Sequence, residues 1–594
     1  MGASAGFPER FPLNLRGMLR WFANRALILA LAFASPGATA TAIEAATHPP
    51  LTTEGGVVAA DHQVASEVGA QVLARGGNAI DAAAATALAL GVVNPPSSGI
   101  GGGGFAVVYD AKTKKTYAFD FRETAPAALS PESFVVDGKL EVTLARKGGL
   151  AVGVPGEVAG LFMMVEKLGA LPWRDVVMPS QRLAERGFDV GNFLAFASSR
   201  VFDSLAQGSS LRNFLAPNGT LITEGQRVKR SKLAATLKTV AEGGANGFYR
   251  GEVADDIVAS VTGSGGVMTR ADLAKYKVIE RKPLTGRWGK YTLATMPLPS
   301  SGGLILLEML GIIDQSGIKL ADLGAGSSSA IHWTAEVLKH AFADRARFLG
   351  DASASETLAA KFLEPARLKA LAKKLGRRTK KHKSYGDSTF GKASSVKDDK
   401  GTSHLCVIDG AGNAVALTTT VNGYFGAKVV SEKTGIVLNN EIDDFSLRAG
   451  VANQFGLIQS DYNLVKAGKR PLSSMTPVLV FDGDRVVGCA GGSGGPRIIS
   501  NTFQVLLNVF TFGMNVREAV EAPRIHHQWS PNVLLLEKEI PADVTAALGK
   551  RGHKTKVSLA PTAVQAIVVD DKGRRQGASD PRKAGAPAAA RPLR

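Results

Sequence analysis

The chain has 594 residues, of which 45% are hydrophobic, with 67 glycines and only two cysteines, Cys406 and Cys489. That composition supplies a sizeable core and excludes a disulfide framework; both cysteines sit in apolar strand-like runs and read as buried free thiols. The net charge of +18 is uneven, with nine Lys or Arg and no acid from Arg367 to Lys383, but no aromatic residues interleave there for base stacking, so the run reads as a solvated or envelope-facing stretch and not a nucleic-acid patch.

In chain order, Arg10, Arg16, Arg20 and Arg25 precede an apolar run at 26–34, and Ala38-Thr39-Ala40 follows. Basic region, short apolar core and small-x-small site are the order of a secretory signal peptide, expected to span 1–40 and leave a mature chain from near Thr41. An apolar run of about nine residues is far short of the roughly 20 that span a bilayer. No cysteine follows the small residues, which argues against a lipoprotein.

From Gly56 the pattern is dense α/β. Helical spacing covers 63–75 and 78–93, the second so rich in Ala and Leu that it must be buried, and paired strands follow at 105–109 and 116–121. A long helical middle is expected, with helices at 155–168, 231–242, 301–313 and 328–349. A basic tether at 365–400 comes next. Strands return at 405–408 and 414–421, joined by Gly-Ala-Gly-Asn at 410–413 as a hairpin, then at 478–481 and 486–490, before a helix at 498–510. The Ala/Pro-rich tail at 583–594 is expected to be loose, and no internal repeat is present.

Three motifs compete for the chemistry. Residues 99–104 satisfy G-x-G-x-x-G, but a helix precedes and a strand follows, the inverse of a dinucleotide site, so the run reads as a tight turn. Residues 491–495 satisfy G-x-S-x-G after a strand, with His526, His527 and His553 downstream, which makes Ser493 a rival nucleophile. Few acids lie between, and tandem glycines equally suit backbone N–H donation to an oxyanion. Thr402 follows Gly401 at the end of the tether and opens a strand. Its hydroxyl needs a base, and cleavage of the Gly401–Thr402 bond would free one, its own α-amine, with a usual pKa near 7.7–8.0.

The stretches SGIGGGGF at 98–105, DFRETAP at 120–126, GTSH at 401–404, LNNEIDDFS at 438–446, RPLSSMTP at 470–477, GGSGGPRI at 491–498 and GASDPR at 577–582 together resemble the γ-glutamyltransferases, also called glutathione hydrolases. These belong to the N-terminal-nucleophile hydrolases. The resemblance runs in order from about residue 56 to 582. It implies an α/β (α+β) four-layer αββα sandwich, assembled from a large subunit, 41–401, and a small subunit, 402–594, of one self-cutting precursor. Thr402 is implied to make the cut at Gly401 and then to serve as nucleophile, oriented by Thr420, with Gly494 and Gly495 as the oxyanion hole. Arg122 is implied to grip a substrate α-carboxylate, Asn422, Glu441 and Asp444 to bind the α-amine and carboxylate, and Ser473 and Ser474 to contact the donor carboxylate. The span 447–461 matches a lid, with Phe455 where relatives often carry tyrosine.

The activity implied is transfer of the γ-glutamyl group of glutathione or a related compound to water or an amino acid or peptide, with no metal or nucleotide cofactor, no nucleic acid and no stable membrane anchor, in the periplasm or outside the cell. The alternatives are a related acylase acting on cephalosporin-type side chains or poly-γ-glutamate, a Ser493 serine hydrolase, and a non-catalytic envelope binding protein.

Overall fold

A computed structural model describes residues 49–351, 355–386, 401–457, 459–558 and 562–590. The expected signal peptide, 1–40, and tether residues 387–400 lie outside the described residues.

The strands that matter are β1 (Leu51–Thr53), β2 (Val57–Ala60), β3 (Gly103–Asp110), β4 (Lys115–Phe121), β5 (Ile279–Arg281), β6 (Leu284–Trp288) and β7 (Tyr291–Thr295). After them come β8 (Gly401–Ile408), β9 (Ala414–Asn422), β10 (Val478–Asp482), β11 (Arg485–Ser493), β12 (Ala563–Val569), β13 (Arg575–Ser579) and β14 (Pro587–Ala589). They form two seven-stranded sheets, one in the order β1-β13-β12-β11-β10-β7-β6 and one in the order β14-β2-β8-β9-β3-β4-β5. The principal helices are α1 (Gln63–Ala74), α2 (Ala79–Val93), α3 (Glu157–Leu168), α4 (Trp173–Arg186), α5 (Ser231–Gly243), α6 (Ser301–Ser316), α7 (Ser328–Phe348), α8 (Pro365–Ala372) and α9 (Arg497–Phe510).

The four layers follow from strand alternation, since successive side chains leave opposite faces of a sheet. In β2, Val58 and Ala60 join a core shared with α2, α3 and α4, while Val57 and Ala59 face the other sheet. In β8, Leu405 and Val407 point to the helices, and Cys406 and Ile408 point between the sheets. In β10, Val478 and Val480 pack under α6, α7 and α9, while Leu479 and Phe481 meet the inner face of the other sheet. Buried on both faces, the central strands are almost continuously apolar, and the outcome is the expected αββα sandwich. Both cysteines are free and buried.

Every residue of α2 is buried, which is why its sequence, AIDAAAATALALGVV, has almost no polar side. A capping box fixes its start, the Asn78 side chain accepting from the backbone N–H of Asp81 while Asp81 accepts from that of Asn78. The glycine run that follows is a turn between this helix and β3, and a Cβ on Gly102 would lie 1.9 Å from the Thr420 carbonyl oxygen. Close backbone approach, not phosphate binding, is what those glycines permit.

Three expectations need correction. The middle of the chain is not all helical: β5, β6 and β7 lie there and supply the outer strands of both sheets. The faces of β5 and β6 are part-exposed, so the near-continuous apolar run that marks the central strands is missing. The basic stretch from 365 is not all tether, because residues Pro365–Ala372 form α8, and Arg367 bonds Glu308 at 2.7 Å and also Asp344. The tail is not loose from 583 either. Lys583 is fully buried, and Pro587–Ala589 pairs with Val57–Ala59 as an edge strand, a place where proline is tolerated.

Candidate active site

β8 and β9 run antiparallel in the middle of their sheet, and a bulge falls between Gly401 and Thr402. Gly401 opposes Asn422 and Thr402 opposes Thr420, which leaves Val421 as the extra residue; Asn422 itself takes a left-handed φ of 72°. Bulges re-aim side chains and recur beside active sites. Here the bulge brings the Thr402 and Thr420 hydroxyl oxygens to 3.0 Å. Thr420 Oγ1 also donates to the Gly401 carbonyl oxygen at 2.7 Å and accepts from the Asn422 N–H at 2.8 Å. With its single proton directed at Gly401, Thr420 is left to accept from the Thr402 hydroxyl. Gly401 is enclosed as well: a Cβ there would lie 2.3 Å from the Gly423 carbonyl and 2.4 Å from that of Pro96.

The cleft over this pair is lined by Thr402, Thr420, Asn422 and Gly495 on one side and by Arg122, Glu441, Asp444, Ser473 and Ser474 on the other. Nine of the eleven sequence-derived site residues therefore meet, and the other two, Gly401 and Gly494, directly precede Thr402 and Gly495. The strand leading to them ends at Ser493, and φ values of 124° at Gly494 and 59° at Gly495 turn the backbone before α9. Phe455 and Leu457 close the cleft to about 20 Å³. The loop carrying them is latched to the acids below, with Asn453 Nδ2 donating to Asp444 at 3.1 Å and the Gln454 N–H to Asp443 at 2.9 Å.

Arg122 is buried and spent on local partners, Glu441, Asp444 at 2.7 Å and the Pro471 carbonyl at 3.2 Å. Burial alone would lower its pKa, and the two carboxylates more than reverse that, so it stays charged. Burial pushes the Glu441 and Asp444 carboxyls up despite the guanidinium, and pushes Asp443 up to about 7. One guanidinium thus faces a surplus of carboxylates, and Glu441 Oε2 has no hydrogen-bond partner among the described residues. The arrangement calls for an incoming cation.

Two buried charges escaped the reading of the sequence. Arg345, on α7, donates to Ser474 Oγ at 3.0 Å and Ser301 Oγ at 2.9 Å, fixing the serine pair. Lys583 donates to the Thr402 carbonyl at 2.8 Å and pairs with buried Asp61 at 3.4 Å. Local pattern gave no signal for either, since one sits in a helix with other basic residues and the other in an apparent basic tail.

The rival nucleophile has no histidine base, and the carboxyl beside it, Asp61, is buried and already held by Gln565 and Lys583. Ser493 Oγ is buried without a hydrogen-bond partner among the described residues, while His526 bonds Ser500 and Gln528, His527 bonds Asn532, and His553 bonds His332. The one group among the described residues with metal-ligand composition is His332, Glu336 and His553, whose ligand atoms lie within 4.8 Å of one another. Lys339 already holds Glu336 at 2.7 Å and the two imidazoles hydrogen-bond at 2.8 Å, which leaves only His553 Nδ1 without a partner among the described residues.

Residues 65–590 match the family model described as gamma-glutamyltranspeptidase. A glutathione hydrolase proenzyme of Escherichia coli K12 is 37% identical over 536 residues, covering 90% of this chain and 91% of that protein. Glutathione hydrolase 2 of Arabidopsis thaliana is 39% identical over 552 residues, covering 90% and 93%. Among solved structures, a cephalosporin acylase from Bacillus halodurans superposes with a TM-score of 0.80 at 28% identity, covering 91% of this chain and 97% of that one. A gamma-glutamyltranspeptidase from Pseudomonas nitroreducens superposes with a TM-score of 0.51 at 34% identity over 55% of this chain and 96% of that one.

Proposed function

The chain belongs to the γ-glutamyltranspeptidase family and is an enzyme of the glutathione hydrolase type, and we propose that it cuts itself at Gly401–Thr402 and then transfers γ-glutamyl groups through an ester on Thr402. The observation that carries this reading is the position of the Thr420 hydroxyl, within hydrogen-bonding distance of both the Gly401 carbonyl oxygen and the Thr402 hydroxyl.

In the cut, Thr402 Oγ adds to the Gly401 carbonyl carbon while Thr420 donates to the oxygen that gains charge. The C–N bond breaks, the amine takes the proton, and an ester joins Gly401 to Thr402. Water hydrolyses that ester, leaving a Gly401 carboxylate and a free Thr402 α-amine. In turnover the amine removes the Thr402 hydroxyl proton as Oγ attacks the γ-amide carbon. The N–H groups of Gly494 and Gly495 face the oxyanion, and the leaving amine, cysteinylglycine when the donor is glutathione, takes the proton. Water or an amino acid or peptide then accepts the acyl group.

Glu441, Asp444 and Asn422 would take the donor's α-ammonium, the surplus of carboxylate being the attraction. Arg122 has one Nη1 hydrogen left by count of its five donors, and with Ser473 and Ser474 it would meet the α-carboxylate. A cleft of about 20 Å³ cannot admit glutathione, so the loop bearing Phe455 must lift for entry. The acylase reading shares the nucleophile and is supported by the Bacillus halodurans likeness, but a site built for both ends of an amino acid favours the γ-glutamyl donor. No described helix is long and apolar enough to cross a membrane, and export rests on the signal-like order of 1–40.

A denaturing gel with N-terminal sequencing tests the proposal. Two bands are expected, the larger starting near Thr41 and the smaller at Thr402, with glutathione hydrolysis that Thr402→Ala abolishes while leaving the chain whole. Active protein consisting of one uncut chain would refute it.

A further inference from the structure

A second cavity, of about 500 Å³, shares no lining residue with the Thr402 cleft. Its walls are mixed, with Leu194, Phe214, Ile222 and Val430 supplying apolar surface beside polar and charged residues, and that size falls within the usual range for small-molecule sites. At one end stand Arg230 and the first turn of α5, the 13-residue helix that begins at Ser231.

Arg230 is the unusual element. It is 8% exposed, donates to the carbonyls of Gly91 at 2.5 Å, Val92 at 3.2 Å and Gly435 at 3.1 Å, and lies over the Phe214 ring at 5.1 Å, but its Nε has no hydrogen-bond partner among the described residues. No carboxylate pairs with it among the described residues: burial pulls its pKa down to about 9, with no neighbouring charge opposing. A buried, unpaired cation is costly, because lost hydration is returned only by an opposite charge or a full set of hydrogen bonds. Arg230 also precedes α5 without capping it through its side chain, so the helix presents free N–H groups and its positive end to the same place. On the exposed rim Lys229 and Lys232 outnumber Glu432.

We propose that this cavity binds a small amphiphilic anion, a carboxylate on an apolar body, with its head at Arg230 and the start of α5 and its body along Leu194, Phe214, Ile222 and Val430. The cavity supplies apolar surface for the body, the guanidinium supplies the charge, and the helix end supplies further donors. The wall at Val430 belongs to a segment closed by the Val430–Val437 bridge, which leads within a few residues to Glu441. The site is nonetheless separate from the γ-glutamyl reading and stands or falls without it.

Calorimetric titration of the full-length enzyme with decanoate, decanol and decylammonium tests the proposal. Expected is one saturable decanoate site, at least tenfold tighter than decanol, with decylammonium weaker still and no displacement by a γ-glutamyl substrate. Arg230→Gln should lose at least tenfold in decanoate affinity, leave decanol unchanged and keep catalytic activity. Should that variant fail to fold, Ile222→Trp, which fills the cavity and spares the charge, should weaken decanoate and decanol alike. Equal affinity for decanoate and decanol, no saturable binding, or competition with the γ-glutamyl substrate would overturn it.

Discussion

The Thr420 hydroxyl donates to the carbonyl oxygen of Gly401 at 2.7 Å, across the two strands that the bulge at Thr402 brings out of register. That carbonyl is the one proposed to become an oxyanion when the chain cuts itself. Loss of one such donor typically slows a reaction by about 10²–10³. Thr420→Ala should therefore accumulate uncut chain over hours under conditions in which wild type is fully processed, and Thr420→Ser should restore the cut. A time course on denaturing gels reads this directly; equal rates for Thr420→Ala and wild type would remove Thr420 from the mechanism.

Lys583 tests how the freed amine is held. Its ammonium bonds the carbonyl of Thr402 itself, so its charge lies close to the α-amine proposed as base. Arg122, Glu441 and Asp444 face the same amine across the cleft, and buried His404, its pKa down at about 3, stays neutral. A nearby positive charge disfavours protonation of an amine, so Lys583→Met should raise the pKa of that amine. The acidic limb of the kcat/KM profile should move up by about one pH unit. Removing Lys583 also strands Asp61, and Asp61→Asn/Lys583→Met should recover stability relative to Lys583→Met alone without reversing the pH shift.

Glu441 Oε2 has no partner among the described residues, which makes it the expected seat of the donor's ammonium. Glu441→Gln should raise KM for glutathione by about tenfold, equivalent to about 1.4 kcal/mol. Glutaryl-cysteinylglycine, the same molecule without the α-amine, should show little difference between variant and wild type. A loss of the same size for both donors would mean that Glu441 acts only by holding Arg122.

What the sequence made legible is what local chemistry dictates. The all-apolar run of α2 is a fully buried helix, the inverted order around 99–104 is a turn, and the site motifs meet because they lie at strand ends or in the segments beside them. What stayed hidden depends on distant partners. The outer strands β5 and β6 are part-exposed and lack the continuous apolar run of the central strands. Arg345 looks like any charge on a helix until Ser474, 129 residues on, proves to be its partner. Lys583 looks solvated until Asp61, 522 residues before it, is seen beneath. Pairing across hundreds of residues leaves no mark on periodicity or spacing.

Glu157 gives a prediction about stability instead of catalysis. It sits in the first turn of α3, fully buried, accepting from the Thr419 hydroxyl at 2.5 Å while its Oε1 has no partner among the described residues. Burial pushes its pKa up from 4.5 to about 8, against which the Thr419 bond pulls only partly. Because the folded state holds this proton more tightly than the unfolded chain, Glu157 favours folding most below pH 4.5. That contribution is lost progressively as pH rises through about 8. Wild type should lose thermal stability between pH 5 and 9 partly for this reason. Glu157→Gln keeps a neutral acceptor for Thr419 and never ionises, so its unfolding midpoint should fall less steeply over that range and exceed wild type's at pH 9. Glu123, also raised to about 8 by burial, will preserve part of the slope. Parallel curves for Glu157→Gln and wild type would show that Glu157 folds as a carboxylate, with water or the helix end supplying what Oε1 lacks.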